Sequence, residues 1–352
     1  DTDGGVHPDA DEVCDGVDND CDGAVDDADG DLLLATTSCW YEDLDGDGAG
    51  APGATVEACV QPAGRSDNDT DCDDTDPTPC TGQRADQQGI PMIYLAPGSF
   101  MMGSPPEELG RTSAEALHQV TLTRGLYVGA YEVTQDQFVA AMGYQPSAVA
   151  GCPDCPAETM SWYEAMAFAN AVSASAGLGA CYTCAGAGTS IRCELSSSLA
   201  SPYACEGYRL PTMAEWEYAA RAGSGAAFWT GGSLLADDLF ECGGVVLDDG
   251  TLLDDLALYC GNTDGAPLPV GQTAPNPWGL YDVYGNVAEW CQEGVFGVSD
   301  PVDPWDASSR FGVAVKGGGF GSTPLYLRAA SRMGSAPDLT SGMVGIRLVR
   351  TE

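Results

Sequence analysis

Residues 1–90 carry too much negative charge and too few large apolar side chains to fold around a conventional hydrophobic core. The stretch holds 25 acidic and 2 basic residues. Its large apolar residues are concentrated in Leu32–Leu34 and Trp40–Tyr41. A segment of this composition stays disordered unless something other than apolar burial offsets the entropy lost on ordering it. If the stretch is ordered, ions or disulfides must therefore supply the stabilisation.

The acidic residues of this stretch fall in dense loops that are punctuated by glycine. These loops read DGVDNDCDGAVDD (15–27), DLDGDGAG (43–50) and DNDTDCDDTD (67–76). Turns at glycine let several carboxylates converge on one hard cation, and Ca²⁺ prefers such a set of oxygens. We therefore predict several bound Ca²⁺ ions. The candidate ligands are Asp15, Asp18, Asp20, Asp22, Asp43, Asp45, Asp47, Asp69, Asp71, Asp73 and Asp76.

The acidic loops are not EF-hands, because position 12 of a loop that starts at Asp43 is Ala54 instead of Glu. They resemble the short aspartate repeats of bacterial surface proteins, which are similar in kind to thrombospondin type 3 repeats. The alternative is a solvated, disordered linker, and the six cysteines of residues 1–90 count against it. The chain begins in what looks like the second half of one repeat, so we expect the precursor to continue upstream.

Cysteine content and charge limit the compartment and the partners. Fifteen cysteines in 352 residues indicate a disulfide framework and an oxidising compartment, so we expect a secreted, extracellular or cell-surface protein. A net charge of −40 excludes nucleic acid and anionic membranes as partners, because both would repel the chain. No apolar run reaches the ~18 residues of a membrane span, so no membrane insertion is expected.

Two CxxC motifs leave a choice between zinc and disulfides. Their spacing is that of a zinc ribbon, which makes Zn²⁺ a candidate cofactor at Cys152, Cys155, Cys181 and Cys184. Two further cysteines, Cys193 and Cys205, follow in the same segment. In an oxidising compartment, disulfides are therefore the favoured interpretation.

Residues 91–352 form the second predicted domain, after the repeat region of residues 1–90. Short strand patterns open it, and three helix starts then carry a capping box. These boxes are Thr134-x-x-Gln137, Ser161-x-x-Glu164 and Thr212-x-x-Glu215. The last two predict helices at about 162–175 and 213–222. After Gly223 the chain is loop-rich, with short strands expected near 312–320, 325–330 and 344–350. The fold class is therefore α+β, with few regular elements.

Three groups of motifs in this second region point to a family. They read GYRLPTMAEWEYAARAG (207–223), NPWGLYDVYGNVAEW (276–290) and, towards the end, VKGGGF, RAASR and VGIRLVR. In this order they resemble the formylglycine-generating enzyme (sulfatase-modifying factor) family, which implies an irregular variant of the C-type lectin-like fold. The resemblance also implies Ca²⁺ in the loop 282–289. The implied ligands are the side chains of Asp282 and Glu289 and the carbonyls of Gly285 and Val287, with a second site starting near Asn262 and Thr263.

The residues that give the oxidising members of that family their activity are missing. Those members bind copper through two cysteine thiolates, and the corresponding segment here, 317–332, contains no Cys. Ser322 stands at the first of the two positions, and a hydroxyl cannot replace a soft thiolate as a ligand for Cu(I). The two histidines, His7 and His118, are too few and too distant to build a histidine-rich iron site. The family oxidase activity is therefore not expected.

Three functions remain open on these grounds. One is a non-catalytic binding protein that presents the former active-site face to a protein or glycan ligand, as in the retroelement-diversified ligand-binding proteins that its C-terminal segment resembles. Another is an adhesion or assembly subunit that binds copies of itself through a calcium-dependent scaffold. The third is an enzyme of this superfamily with a cysteine-independent mechanism. The candidate residues of the face are Phe320, Ser322, Thr323, Leu325, Tyr326 and Met333.

Overall fold

The chain is divided into two compact units, Asp1–Gln83 and Arg84–Glu352. The division precedes the boundary at residue 90 that the change in composition suggests. The computed structural model describes residues 6–7, 10–22, 24–29, 32–33, 36–42, 51–66, 84–87, 89–149, 151–295, 300–306 and 312–352.

The first unit is built on a small antiparallel sheet and very little apolar burial. Its strands are β1 Ser38–Glu42, β2 Ala51–Ala58 and β3 Arg65–Ser66, in the order β2-β1-β3. Among the described residues of this unit, Ala58 is the one buried hydrophobic side chain. A disulfide joins Cys14, which precedes the first acidic loop (15–27), to Cys59, which follows β2. The unit is therefore held by covalent and polar contacts, as its composition predicts.

The second unit contains three α-helices within the described residues, and each begins at a predicted capping box. They are α1 Gln135–Met142, α2 Trp162–Ser175 and α3 Met213–Arg221. Both reciprocal hydrogen bonds of the box are present at Thr134, Ser161 and Thr212. Each box satisfies two backbone N–H groups that the first turn of a helix would otherwise leave unpaired. The predicted helix starts are confirmed.

The strands of the second unit are short and lie in several small sheets. They are β4 Arg84–Gln87, β5 Ile90–Leu95, β6 Gly98–Met102, β7 His118–Leu122, β8 Leu126–Gly129, β9 Tyr182–Ala185, β10 Arg192–Leu195, β11 Tyr208–Arg209, β12 Ala257–Leu258, β13 Tyr284–Gly285, β14 Ala288–Gly294, β15 Val313–Lys316, β16 Met333–Ser335, β17 Val344–Gly345 and β18 Val349–Thr351. The largest sheet has the order β11-β18-β8-β5-β4 and is antiparallel throughout. This pairing brings the C-terminal strand between β11 and β8.

A second sheet of this unit has four strands, in the order β16-β15-β14-β17. All seven residues of β14 are buried, and its neighbour β17 runs parallel to it. The expected strand near 325–330 is wrong, because the chain there forms a 3₁₀ turn at Pro324–Tyr326. The proline ring fixes the backbone angle φ and removes a donor that a strand would use. The α+β, loop-rich fold class is confirmed.

The core of the second unit combines apolar clusters with buried ion pairs. Four such groups have side chains that are at most 3% exposed: Arg209–Glu215, Arg221–Glu217–Lys316, Arg328 with Glu108 and Glu115, and Arg347–Glu289. A buried charge is strongly destabilising when its partner is removed. These pairs therefore hold together segments that have little regular secondary structure.

Disulfides account for both CxxC motifs, so zinc at these four cysteines is wrong. Cys152 bonds to Cys155, whereas Cys181 bonds to Cys205 and Cys184 bonds to Cys193. A sulfur in a disulfide has no thiolate to offer a metal. A further disulfide joins Cys242 to Cys260. None of the helices in the described part of the chain is long and apolar enough to cross a bilayer.

Candidate functional site

Five carboxylates of the acidic loop in the first unit come together around Asp20. Side-chain oxygens of Asp18, Asp20 and Asp22 lie within 4.8 Å of one another, and so do those of Glu12, Asp20 and Asp29. Asp20 belongs to both groups. A set made only of carboxylate oxygens is the kind that hard divalent cations prefer.

Local hydrogen bonds hold this loop in place. Glu12 is buried and accepts from the backbone N–H of Asn19 at 2.7 Å and of Asp26 at 2.9 Å, so it clamps both ends of the loop. Asp20 accepts from the N–H of Asp22 at 3.0 Å, and Cys21 between them takes a positive φ of 65°. The carboxylates of Asp18, Asp20 and Asp22, which alternate along this short stretch, therefore lie close together.

The neighbouring carboxylates affect the pKa of Asp20. The hydrogen bond from the Asp22 N–H lowers the pKa of Asp20, but burial and the nearby carboxylates of Asp22, Asp29 and Asp18 raise it more. The net effect is a raised pKa, as expected where like charges crowd together. A bound cation would relieve this repulsion.

The structure places some of the predicted ligands together and adds others. Asp18, Asp20 and Asp22 converge, whereas Asp15 uses its carboxylate to accept from the N–H of Val17 at 2.9 Å. Glu12 and Asp29 were missed, because their approach depends on how the chain folds back. The predicted ligands Asp43, Asp45, Asp47, Asp69, Asp71, Asp73 and Asp76 lie outside the described residues.

In the second unit, Asp282 and Glu289 are buried and already have protein donors. The carboxylate of Asp282 accepts from the Gly271 N–H and from the Thr273 hydroxyl at 2.9 Å, and burial raises its pKa. Glu289 accepts from the Trp216 indole N–H at 2.6 Å and from Arg347 Nε at 2.9 Å. A guanidinium therefore neutralises Glu289, and Ca²⁺ at Asp282, Gly285, Val287 and Glu289 stays a prediction.

A third carboxylate at this loop, Glu132, is one that sequence reasoning missed. It accepts from the Val287 N–H and from the Asn286 side-chain amide, both at 3.1 Å. Burial, followed by the charge of Asp282, raises its pKa well above the ordinary value. Glu132 therefore shapes the loop from a distant part of the sequence.

At the second implied calcium site, the side chains of Asn262 and Thr263 form hydrogen bonds to the backbone. The Asn262 side chain accepts from the Tyr259 N–H at 3.0 Å and donates to the Ala257 carbonyl at 2.8 Å. The Thr263 hydroxyl donates to the carbonyls of Tyr259 and Phe320 at 2.9 and 2.8 Å. These contacts join the segment to the predicted ligand face, and metal binding here also stays a prediction.

The predicted ligand face surrounds Ser322. This residue is 7% exposed, and its Oγ accepts from the Gly319 N–H at 2.9 Å. Ser322 and Met333 line a cavity of about 260 Å³ whose other walls are largely apolar, among them Leu339, Met343 and Val344. We refer to it as the Ser322 cavity.

The remaining residues of the face differ in their exposure. Tyr326 is 40% exposed and Met333 is 37% exposed, whereas Phe320, Thr323 and Leu325 are half-buried. The Thr323 hydroxyl is buried and has no hydrogen-bond partner among the described residues. Tyr326 and Met333 are therefore the two side chains that this face offers most openly to a partner.

A free thiol of the second unit lies in the core. Cys291, in β14, is fully buried, and burial raises the pKa of its thiol well above the ordinary value. A thiol in this environment stays protonated and is a poor nucleophile and metal ligand. It does not substitute for a catalytic cysteine.

Comparison with known families gives a match to each unit. The family model described as the sulfatase-modifying factor enzyme 1-like domain matches residues 78–352. A second model, Cu-binding MopE, is described as a metal-binding motif and matches residues 1–27 and 71–82. The converging carboxylates of Asp18, Asp20 and Asp22 lie within the second match.

Similar proteins include one that is named as a chaperone and one that is an enzyme. The chain is 32% identical over 260 residues to chaperone protein LppX of Paenibacillus barcinonensis, covering 66% of this chain and 82% of that protein. It is 33% identical over 149 residues to the formylglycine-generating enzyme of Streptomyces coelicolor. That match covers 40% of this chain and 46% of the enzyme, so the chain spans about half of the enzyme's length.

Two solved structures share the fold. The variable protein 1 of Treponema denticola superimposes with a TM-score of 0.62 at 26% identity, covering 77% of this chain and 99% of that one. PvdO from Pseudomonas aeruginosa superimposes with a TM-score of 0.57 at 25% identity, covering 78% and 100% of the two chains.

Proposed function

We propose a non-catalytic binding function for this chain, which belongs to the family of the sulfatase-modifying factor enzyme 1-like domain. In this proposal the second unit presents the face around Ser322 to a protein partner. The first unit is ordered by bound metal. The protein acts outside the cell, where its disulfides persist.

The observation that carries the proposal is the environment of Ser322. This residue stands where the oxidising members carry their first cysteine, and its hydroxyl is used to hold the Gly319 N–H. The segment 317–332 contains no Cys, and Cys291 is buried with a raised pKa. Without a thiolate pair, copper lacks the two ligands that the oxidising members use at this position.

A protein partner is favoured over a glycan at this face. Tyr326 and Met333 are an exposed aromatic and an exposed thioether side chain, and both types are enriched at protein interfaces. The Ser322 cavity, which Met333 lines, is mostly apolar and has room for one side chain of a partner. The relative that is named a chaperone supports the same direction.

Calcium is the metal that we propose for the first unit. The converging ligands Glu12, Asp18, Asp20, Asp22 and Asp29 supply oxygen only, which suits Ca²⁺ better than Cu(I). Calorimetric titration of the metal-free protein with Ca²⁺ and with copper salts distinguishes them. Tight copper binding with no response to Ca²⁺ would refute this part of the proposal.

The binding function is tested by photo-crosslinking at the face. A photoreactive amino acid replaces Tyr326 in one variant and the exposed Leu117, a control elsewhere on the same unit, in another. Each variant is illuminated in an extract of the organism that makes this protein. We expect one discrete crosslinked protein from position 326 and none from position 117. A product that contains only this chain would indicate self-assembly instead.

The absence of the family oxidase activity is tested separately. The copper-loaded protein is incubated with a cysteine-containing peptide, and oxygen uptake and peptide mass are followed. We expect neither oxygen uptake nor loss of the thiol. Oxidation of the peptide by the pure protein would overturn the non-catalytic assignment whatever the crosslinking shows.

A further inference from the structure

The second unit has a larger cavity that shares no lining residue with the Ser322 cavity. Its volume is about 710 Å³, within the roughly 300–1,000 Å³ of typical small-molecule sites. Its walls are the paired strands β9 and β10, the first residues of α2, and Trp305. We call it the hairpin groove.

The hairpin groove is rigidly framed. The disulfide Cys184–Cys193 joins β9 to β10 at opposing positions of the strand pair. On the α2 side, the Trp162 indole N–H donates to the Cys291 carbonyl at 2.8 Å. Next to Trp305, the Pro304 carbonyl accepts from the buried Tyr203 hydroxyl at 2.9 Å. A preformed groove of this kind loses little entropy when a ligand binds.

Aromatic side chains supply the flat surfaces of the groove. Trp162, Tyr163 and Trp305 all line it and are half-buried. The Trp162 and Tyr163 ring centroids are 5.6 Å apart. The Arg192 guanidinium lies 4.8 Å from the Tyr163 centroid, which holds this ring and its own charge in place.

Polar groups surround these rings. Gln292 is 5% exposed, and its Oε1 accepts from the Tyr182 hydroxyl at 2.5 Å. Gln292 also lines the groove. The hydroxyls of Ser196 and Ser197 line the same cavity. The groove therefore offers both donors and acceptors to a ligand.

The formal charges of the lining residues cancel. Arg192 and Glu194 are the charged side chains among the lining residues in the described part of the chain. This balance stands out on a chain with a net charge of −40. The site therefore has no electrostatic preference for a strongly charged ligand.

We infer that the hairpin groove binds a neutral oligosaccharide. Sugar rings have an apolar C–H face that can pack on an aromatic ring, and a rim of hydroxyls that both donate and accept hydrogen bonds. Half-buried aromatic rings, a buried amide and balanced charge are together the complement of such a ligand. The inference is independent of the partner at the Ser322 face.

The test uses defined sugars as probes. Maltohexaose, cellohexaose, xylohexaose, mannohexaose and chitohexaose are titrated into the full chain, with tryptophan fluorescence and calorimetry as readouts. We expect at least one to bind with a dissociation constant of about 0.01–1 mM. Its binding should shift the tryptophan emission, since two tryptophans line the groove.

Variants locate the binding. Trp305→Ala should weaken it at least about tenfold, which corresponds to about 1.4 kcal/mol. Arg192→Ala removes an exposed side chain and should weaken it without affecting folding. Leu117→Ala, at an exposed residue that lines neither cavity, is the matched control and should bind the sugar normally.

Three results would overturn the inference. The first is failure of all five sugars to bind at about 10 mM, a concentration that would reveal even very weak sites. The second is sugar binding that survives both Trp305→Ala and Arg192→Ala, because it would then occur elsewhere. The third is a groove that binds a peptide through Trp305 while every sugar is inert.

Discussion

Replacing Glu293 by Gln should stabilise the protein at alkaline pH and change little at mildly acidic pH. Glu293 is buried in β14, and one of its oxygens accepts from the Met213 N–H at 2.8 Å. Its other oxygen has no hydrogen-bond partner among the described residues. Burial raises the pKa of this carboxyl from 4.5 to about 8, with the charge of Glu215 adding to the effect. Arg209 and Arg332 oppose the increase without cancelling it.

The direction of the pH effect follows from this increase. The folded state holds the proton more tightly than the unfolded state, so the stabilisation is complete below about pH 4.5 and is lost as the pH rises through about 8. The pKa of Glu293 differs by about 3.5 units between the folded and the unfolded state. At 1.36 kcal/mol per unit, this difference corresponds to a loss of at most about 5 kcal/mol of stability at high pH. Glutamine keeps the acceptor for Met213 and cannot ionise, so it avoids this loss.

Urea unfolding of both proteins at pH 5 and pH 9 measures the effect. Six of the seven tryptophans lie in residues 84–352, so their emission reports mainly on the second unit. We expect the free energy of unfolding of Glu293→Gln, relative to that of the parent protein, to be about 2–5 kcal/mol higher at pH 9 than at pH 5. Glu289→Gln is the contrasting variant, because it breaks the pair with Arg347 and should destabilise by about 3–5 kcal/mol at both. Parallel pH profiles for Glu293→Gln and the parent would refute the reasoning.

Three further predictions concern the acidic loop and the helix caps. Chelation of Ca²⁺ should expose residues 10–66 to protease before residues 89–295, since unneutralised carboxylates repel one another; equal resistance with and without chelator would mean that metal does not order the loop. Asp20→Asn should weaken Ca²⁺ binding in calorimetry more than Asp15→Asn, because only Asp20 belongs to both carboxylate groups. Thr212→Ala should lower the free energy of unfolding by about 1 kcal/mol, measured by urea unfolding, and a change near zero would show that the capping box of α3 does not stabilise the fold.

Features set by residues close in sequence could be predicted. The capping boxes at Ser161 and Thr212 join groups three residues apart, so the helix starts follow from local chemistry. Asp18, Asp20 and Asp22 converge for the same reason, because they alternate along one short loop.

The prediction of a strand near 325–330 is wrong, since a turn that begins at Pro324 takes its place.

Features set by distant residues could not be predicted. Glu132 meets Val287 across 155 positions of sequence, and no motif links the two. The hairpin groove draws on Trp162, Arg192, Gln292 and Trp305, which come from four separate segments. A single sequence carries no signal for such encounters, because they depend on how the loops pack.

Residues from three of the motifs that identify the family meet in one buried cluster, and this explains why those motifs predict the fold. Trp216 comes from the first motif, Glu289 from the second and Arg347 from the last. The Trp216 indole N–H and the Arg347 guanidinium both donate to the Glu289 carboxylate, at 2.6 and 2.9 Å. Losing any one of them leaves a buried polar group unpaired, which is costly. The catalytic cysteines of oxidising members belong to the segment 317–332, which contributes no residue to this cluster, and there the Ser322 hydroxyl accepts from the Gly319 N–H three residues away. These three motif residues are therefore held by structural contacts that do not depend on a cysteine in 317–332.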